Sequence, residues 1–403
     1  MKGRFLIAGM IQILCRVALS YSFIVLFVAC NGVQNSPFEE KSIIAATPPM
    51  GWNSWNAFRK NVNEDIYKEI ADALVSSGLA DAGYIYVNLD GGWCGENANE
   101  PFEDKFPGGI KELSSYIHQK GLKFGIYSHW RSFGHEVRDA NQWAEWGVDY
   151  VKYDAYKTKA DTTVWRTMRD AIRSTGREMV YGIHYQDERD ILPDISDLCN
   201  MWRFTEDIIP YYNNFSRPES LNWGVTTSEI IDRMADVVHL VKPGCWPDPD
   251  MFEIGNMKET QTYDEWATQF TMWCIFPAPL ILSNDIRSMS DEVKSILMNK
   301  EAIAVNQDTF GLPTTIVHDN GDLEVWARIL KNGKVAIVLL NKSEDEHEME
   351  ISWKELGCSR KKGFVRDLWS HTDLGYFNSG FKTTVPKHGV SFVTVAGLKT
   401  RKI

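Results

Sequence analysis

The chain has 403 residues, 44% hydrophobic and 12% aromatic, with a formal net charge of -11. That is enough apolar material for one large core and a smaller second one, so the chain is expected to be globular. An acidic surface repels phosphate backbones, which sets nucleic acid aside as a partner.

The first 29 residues read as an export signal: a short basic start, "MKGR", is followed by apolar residues and the run "SFIVLFVAC" ending at Cys30. Its end, "FVAC", resembles the lipobox of bacterial lipoproteins, which implies a lipid anchor on Cys30, a tether over residues 30–45, and an exported protein held at a periplasmic or cell-surface membrane. A spanning helix is the weaker reading, because Cys15 and Arg16 break the apolar run. Cleavage before Cys30 removes Lys2, Arg4 and Arg16, taking the net charge from -11 to -14. The cysteines beyond it (94, 199, 245, 274 and 358) are odd in number and form no CxxC, so buried thiols, with one bridge at most, are expected rather than a zinc site.

From about 47 to 310, β-rich runs alternate with helical patterns. The runs are "AGYIYVNLD" (82–90), "GLKFGIYS" (121–128), "GVDYVKYD" (147–154), "EMVYGIH" (178–184) and "CNMWRF" (199–204). Between them, Ile66, Ile70, Ala73 and Leu74 fall on one helical face, with Asn63 placed to cap and Gly78 to stop. Ile110, Leu113 and Ile117 form a second face ending at Gly121, and Trp165, Met168 and Ile172 a third ending at Gly176. Repeated βα units predict a parallel sheet, and the absence of a Gly-rich phosphate loop after any strand favours a (β/α)8 TIM barrel over an open doubly wound sheet. The barrel is assigned to residues 46–311. Beyond it, "LEVWARIL" and "KVAIVLLN" flank "KNGK", where Asn332-Gly333 signals a hairpin, and "GVSFVTVAG" follows with no helix between. Residues 312–403 are therefore expected to form an antiparallel β-sandwich.

In such a barrel the C-terminal strand ends line the active-site mouth. Several runs end in polar groups there: Asp90, Tyr127-Ser128, Lys152 with Asp154, His184, and Arg203 with Asp207 beyond it. Alternation puts Lys152 and Asp154 on one side of their strand and Tyr153 on the other. A lone aspartate at a strand end is usually a cap or turn residue, but five converging ends favour chemistry. Two carboxylates facing each other across a pocket are the parts that glycoside hydrolysis needs.

The motifs "TPPMGWNSWNAF" (47–58), "YVNLDGGW" (86–93), "GLKFGIYS", "WGVDYVKYD" (146–154), "WRFTEDI" (202–208), "WPDPDMFEIGN" (246–256), "APLILSNDIR" (278–287), "NKEAIAVNQD" (299–308) and "VRDLWSHTDLG" (365–375) together resemble glycoside hydrolase family 27, the α-galactosidase or melibiase family. The resemblance implies a retaining, exo-acting hydrolase that releases terminal α-D-galactose with no cofactor or metal. Asp154 matches the nucleophile and Asp207 the acid/base, with carboxyl groups about 5 to 5.5 Å apart in a retaining pair. Lys152 is expected to keep Asp154 ionised and reach a sugar hydroxyl. Trp55 would form an apolar wall, Asp90 would accept from ring hydroxyls, Tyr127, His184 and Arg203 would line the site, and Asp250 would contact the hydroxyl beside the reacting carbon, with Asp248 bracing its loop.

The chain also departs from the family pattern. Gly91 stands where a second acid is usual, "YGIHYQDE" around His184 lacks the usual Glu or Cys-Trp, "SHW" replaces "SDAG" after Tyr127, and Ala155-Tyr156 replaces a Cys-containing pair, so a familiar disulfide is not expected. These changes keep other terminal sugars open: β-L-arabinopyranoside, α-N-acetylgalactosaminide, or α-glucoside and isomaltosyl units. A catalytically silent carbohydrate-binding lipoprotein is the alternative from another class. A metal hydrolase has only "HEVRD" (135–139) behind it, which lacks the second His of the helical zinc motif and reads as a loop or helix start.

Overall fold

The computed structural model describes residues 43–95, 100–154, 162–184 and 195–400. The export segment, Cys30 with most of the tether, and Ala155-Tyr156 lie outside the described residues. Eight parallel strands form one sheet: β1 (Met50–Asn53), β2 (Tyr86–Leu89), β3 (Lys123–His129), β4 (Tyr150–Asp154), β5 (Val180–His184), β6 (Met201–Arg203), β7 (Trp246–Asp248) and β8 (Leu280–Leu282). They are ordered β7-β6-β5-β4-β3-β2-β1-β8. Just past β7, the Phe252 N–H donates to Ile281 O of β8 at 2.8 Å, joining the two ends of the series. This is the TIM-type barrel expected from the βα alternation, with the active-site face at the strands' C-terminal ends.

The three expected helices form, and their caps behave as the sequence suggests. The first spans Glu64–Ser76, where the Asn63 side chain accepts from the Ile66 N–H, satisfying one of the orphan donors of the first turn. Its buried apolar stripe is Tyr67, Ile70, Ala71 and Leu74, whereas Ile66 and Ala73 are only half-buried. The i, i+3, i+4, i+7 spacing is thus right, but the face turns toward Tyr67, whose ring packs edge-on to Trp52 at 5.8 Å. The other two helices, Gly109–Gln119 and Thr162–Ser174, bury every apolar residue assigned to them.

Inside the barrel, side chains from neighbouring strands crowd the axis. A Cβ on Gly125 would stand 1.9 Å from Asn88 Oδ1 and 2.9 Å from Tyr150, so only glycine fits between β2 and β4 there. On the outward side, Tyr153 is fully buried between Phe133 and Tyr181, with ring centroids 6.3 and 6.2 Å away. Strand alternation therefore separates a helix-facing Tyr153 from a cavity-facing Lys152 and Asp154.

The C-terminal strands are antiparallel and form a six-stranded and a two-stranded sheet, matching the expected sandwich. β9 (Thr315–Asp319) pairs with β10 (Leu323–Ile329), and β10 and β11 (Val335–Asn341) are joined around Asn332-Gly333. The loop is not a two-residue hairpin: Gly333 N–H donates to Leu330 O, Leu330 N–H donates to Lys334 O, and Gly333 has φ 77°. One glycine in the left-handed region after a turn gives the three-residue loop with a bulge. All five described cysteines are free thiols. Among the described residues no helix is long and apolar enough to cross a membrane.

Candidate active site

A cavity of about 1200 Å³ opens at the C-terminal face of the barrel, and Trp55, Asp90, Tyr127, Lys152, Asp154, His184, Arg203, Asp207 and Asp250 all line it. Each residue singled out in the sequence is therefore brought to one place. Register explains how: Tyr127 pairs with Lys152, His129 with Asp154, and His184 with Arg203, so adjacent strands deliver their last side chains at one level.

The charged groups form a connected network. Asp154 Oδ1 lies 2.8 Å from His184 Nδ1, and Asp154 Oδ2 accepts from the Tyr127 hydroxyl at 3.2 Å. Arg203 Nη2 lies 2.8 Å from His184 Nδ1 and donates to Asp207 Oδ1 at 2.7 Å. Three short steps thus lead from one candidate catalytic carboxylate to the other, and the two oxygens cannot be farther apart than those steps together. Arg203 also donates through Nη1 to Asp250 Oδ2 at 3.2 Å, where the Ile208 N–H adds a second donor at 2.9 Å.

The Lys152 ammonium is bonded to Asp90 Oδ2 at 2.7 Å. Both carboxylates flank it. Asp154 already has His184 and Tyr127, whereas Asp90, only 2% exposed, needs a cation of its own. Lys152 still acts on Asp154 through space. Burial alone would raise the Asp154 pKa, but the hydrogen bond and charge of His184, then the charges of Arg203 and Lys152, hold it well below the usual carboxylate range. Asp154 is therefore an ionised, desolvated carboxylate, as a nucleophile must be.

Asp207 sits at the cavity wall with its side chain 48% exposed. Burial pushes its pKa up, but the Arg203 and Lys152 charges and the Arg203 hydrogen bond outweigh that and lower it. Without sugar the group is thus held as a carboxylate, and acid work requires its contact with Arg203 to loosen. Asp248 Oδ1 accepts from the Asp250 N–H at 2.9 Å, so it does brace the loop. Burial and the neighbouring Asp250 charge push Asp248 up to about 7. Asp250 itself has φ 82°, a left-handed conformation for a residue with a Cβ, fixed by the hydrogen bonds at both of its carboxylate oxygens.

Three contributors were not singled out in the sequence. Asn53, at the end of β1, donates to Asp90 Oδ2 at 2.7 Å. Glu253 is fully buried, accepts from Asn56 and Asn256 at 2.8 Å each, and is pushed up to about 8 by burial. Trp223, 45% exposed, forms part of the cavity wall. Asn53 stands in a strand too short for the periodicity to show, and Trp223 lies in a loop without any pattern. The "HEVRD" stretch begins a helix, Glu136–Glu145. Among the described residues no group of three or more His, Cys, Asp or Glu side chains is placed to hold a metal ion.

Residues 47–308 match the family model described as Alpha galactosidase A, and residues 320–395 match that of the Alpha galactosidase C-terminal beta sandwich domain. Alpha-galactosidase 3 of Arabidopsis thaliana is 40% identical over 366 residues, spanning 86% of this chain and 80% of that protein. Alpha-galactosidase A of Cellvibrio japonicus is 37% identical over 374 residues, spanning 86% and 91%. The crystal structure of alpha-galactosidase I from Mortierella vinacea matches with a TM-score of 0.82 at 32% identity, covering 88% of this chain and 98% of that one.

Proposed function

The chain belongs to glycoside hydrolase family 27, the α-galactosidase or melibiase family, and from that premise we propose that it releases terminal α-D-galactose from oligo- or polysaccharides by double displacement. Membership makes it a glycoside hydrolase rather than a silent carbohydrate-binding protein. One observation supports the mechanism above the others: Asp154 and Asp207 reach the same cavity from opposite ends of the His184–Arg203 bridge. Asp207, protonated, donates to the glycosidic oxygen as the C1–O bond breaks, while Asp154 attacks C1 to give a glycosyl ester. Asp207 then takes a proton from water as that water displaces Asp154, and two inversions leave the configuration retained.

Around this step, Asp90 and Lys152 meet ring hydroxyls, Trp55 and Tyr127 wall the ring, and Asp250 meets the hydroxyl beside C1. Product stereochemistry tests the proposal. Proton NMR during the first minutes should show the α-anomer of galactose, Asp154→Asn should lose activity by about 10⁴-fold or more, and Asp154→Gly should form β-galactosyl azide in azide. First-formed β-galactose would sink the mechanism.

Gly91 favours a second reading at the level of the sugar. A Cβ there would lie 3.3 Å from the Trp55 ring and 3.9 Å from Tyr127, so the position faces the sugar pocket without a side chain to bond a hydroxyl. A site lacking that contact discriminates less against sugars without the hydroxyl. β-L-Arabinopyranose is galactose without its C6 hydroxymethyl group, and comparison of aryl α-galactoside with aryl β-L-arabinopyranoside decides between them. Export and lipid attachment at Cys30 are part of the proposal on the strength of "FVAC" and the apolar run before it.

A further inference from the structure

The end of β3 carries "SHW", a stretch the catalytic reading leaves without a task. Tyr127 and His129 share one side of the strand by alternation, and the buried Ser128 between them bonds Ser132 at 2.6 Å. From Tyr127, the hydroxyl partner of Asp154, a series of rings leads outward. The His129 ring packs edge-on to Tyr127 with centroids 5.6 Å apart, and the Trp130 indole stacks on His129 at 5.6 Å and 25°. The Arg131 guanidinium lies 5.4 Å from the Trp130 ring centroid and is anchored by donation to Gly95 O at 2.9 Å. His129 Nδ1 accepts the Arg131 N–H at 3.0 Å, which closes a helical turn over Trp130–Ser132 and fixes the ring.

Trp130 is therefore held in place before any ligand arrives, yet it is 36% exposed and lines the cavity. The cavity is larger than the range of roughly 300–1,000 Å³ that serves a drug-sized ligand, so it has room beyond one sugar ring. We propose that the His129–Trp130 ledge is the subsite for the leaving group, taking a pyranose ring of an oligosaccharide against the indole. Apolar C–H faces of pyranoses suit an aromatic plane, and a rigid tryptophan gives contact area at low entropic cost. The inference rests on the galactosidase reading of the site, because it assigns the portion of substrate on the far side of the bond that Asp154 and Asp207 cleave. Another part of the wall, where Arg59 lies 5.5 Å from the Trp55 ring and 6.0 Å from the Trp223 ring, is the competing place for that ring.

Two substrates separate leaving-group binding from everything else. Galactosyl-α-1,6-glucose carries a sugar leaving group, and α-galactosyl fluoride carries none. Trp130→Ala should lower kcat/KM for the disaccharide by about tenfold or more and leave that for the fluoride within about twofold. Trp130→Phe, which keeps a ring face, should retain most of the disaccharide rate. Equal losses on both substrates would make Trp130 a structural residue and overturn the inference. So would an unchanged disaccharide rate, or a disaccharide-selective loss found in Trp223→Ala instead. If the unaltered protein hydrolyses neither substrate, the functional reading itself falls, and the ledge's assignment with it.

Discussion

Lys152→Met isolates the buried ion pair beside Asp154. The change removes the donor at 2.7 Å from Asp90 Oδ2 and leaves a nearly inaccessible carboxylate with Asn53 and the Gly91 N–H as its remaining donors among the described residues. At an effective dielectric of about 20, two charges at that separation attract by roughly 6 kcal/mol. Desolvation of the two ions takes back most of it, so the intact pair has a small net worth, while a stranded charge costs about 3–5 kcal/mol. Asp90→Asn should cost less, about 1–3 kcal/mol, because the fields of Asp154 and Asp250 also favour the Lys152 charge. The double variant strands nothing and should be more stable than Lys152→Met by about 2 kcal/mol.

Burial works against the Lys152 charge, but the Asp90, Asp154 and Asp250 charges together outweigh it and the pKa is raised. Its contribution is then fully present below the unfolded value of about 10.4 and is lost only as pH rises through the folded one. Urea unfolding at pH 7, followed by tryptophan fluorescence, therefore measures the whole effect. If Lys152→Met loses less than about 1 kcal/mol, or if the double variant loses the sum of the two singles, the pair is not the coupled unit that burial requires.

Glu253→Gln should stabilise the protein increasingly as pH rises. Its folded pKa of about 8 exceeds the unfolded value of about 4.3, so the wild type loses stability between the two, by at most about 1.4 kcal/mol per pH unit. Thermal melts at pH 5 and 8 check this, and a gap that ignores pH would refute it. Because Arg203 lowers the Asp207 pKa in the free protein, kcat/KM should fall with rising pH already in the acidic range, with the corresponding limb of kcat at higher pH; a kcat/KM flat from about pH 4 to 8 would contradict this. Cys30→Ser should abolish incorporation of a labelled fatty acid and release the protein from the membrane fraction, whereas unchanged labelling would remove the anchor from the proposal.

Local signals carried much of this fold. β2 to β6 are visible because each lies in a run of apolar residues between turn signals, and three helices are visible from their apolar spacing and their caps. β1, β7 and β8 are short and stand beside or contain a proline (Pro49, Pro247 and Pro279), so no continuous apolar run marks them as strands. The polar strand ends could be listed from sequence because a barrel sends them all to one face. Their pairing could not be read there. Whether Lys152 bonds Asp90 or Asp154 depends on inter-strand register and on which carboxylate is poorer in donors, both of which exist only after folding.

The same network explains why the pocket contains more acids than the displacement consumes. Asp90, Asp154, Asp207, Asp248 and Asp250 share the cavity region with two permanent cations, Lys152 and Arg203, so carboxyl groups outnumber cations there. Burial first, and then the Asp250 charge, raise the pKa of Asp248, and the second of these reflects that excess. An oxocarbenium-like transition state carries positive charge on the sugar ring, and a negative field fixed before reaction stabilises it more than the neutral substrate. The cations set the limit in the other direction: without them the buried carboxylates would protonate, and the field would vanish with their charge. Arg203 touches Asp207, Asp250 and His184 at once, so a sugar that draws Asp207 away from it frees a proton acceptor at the wall while the charge on Asp154 below stays in place.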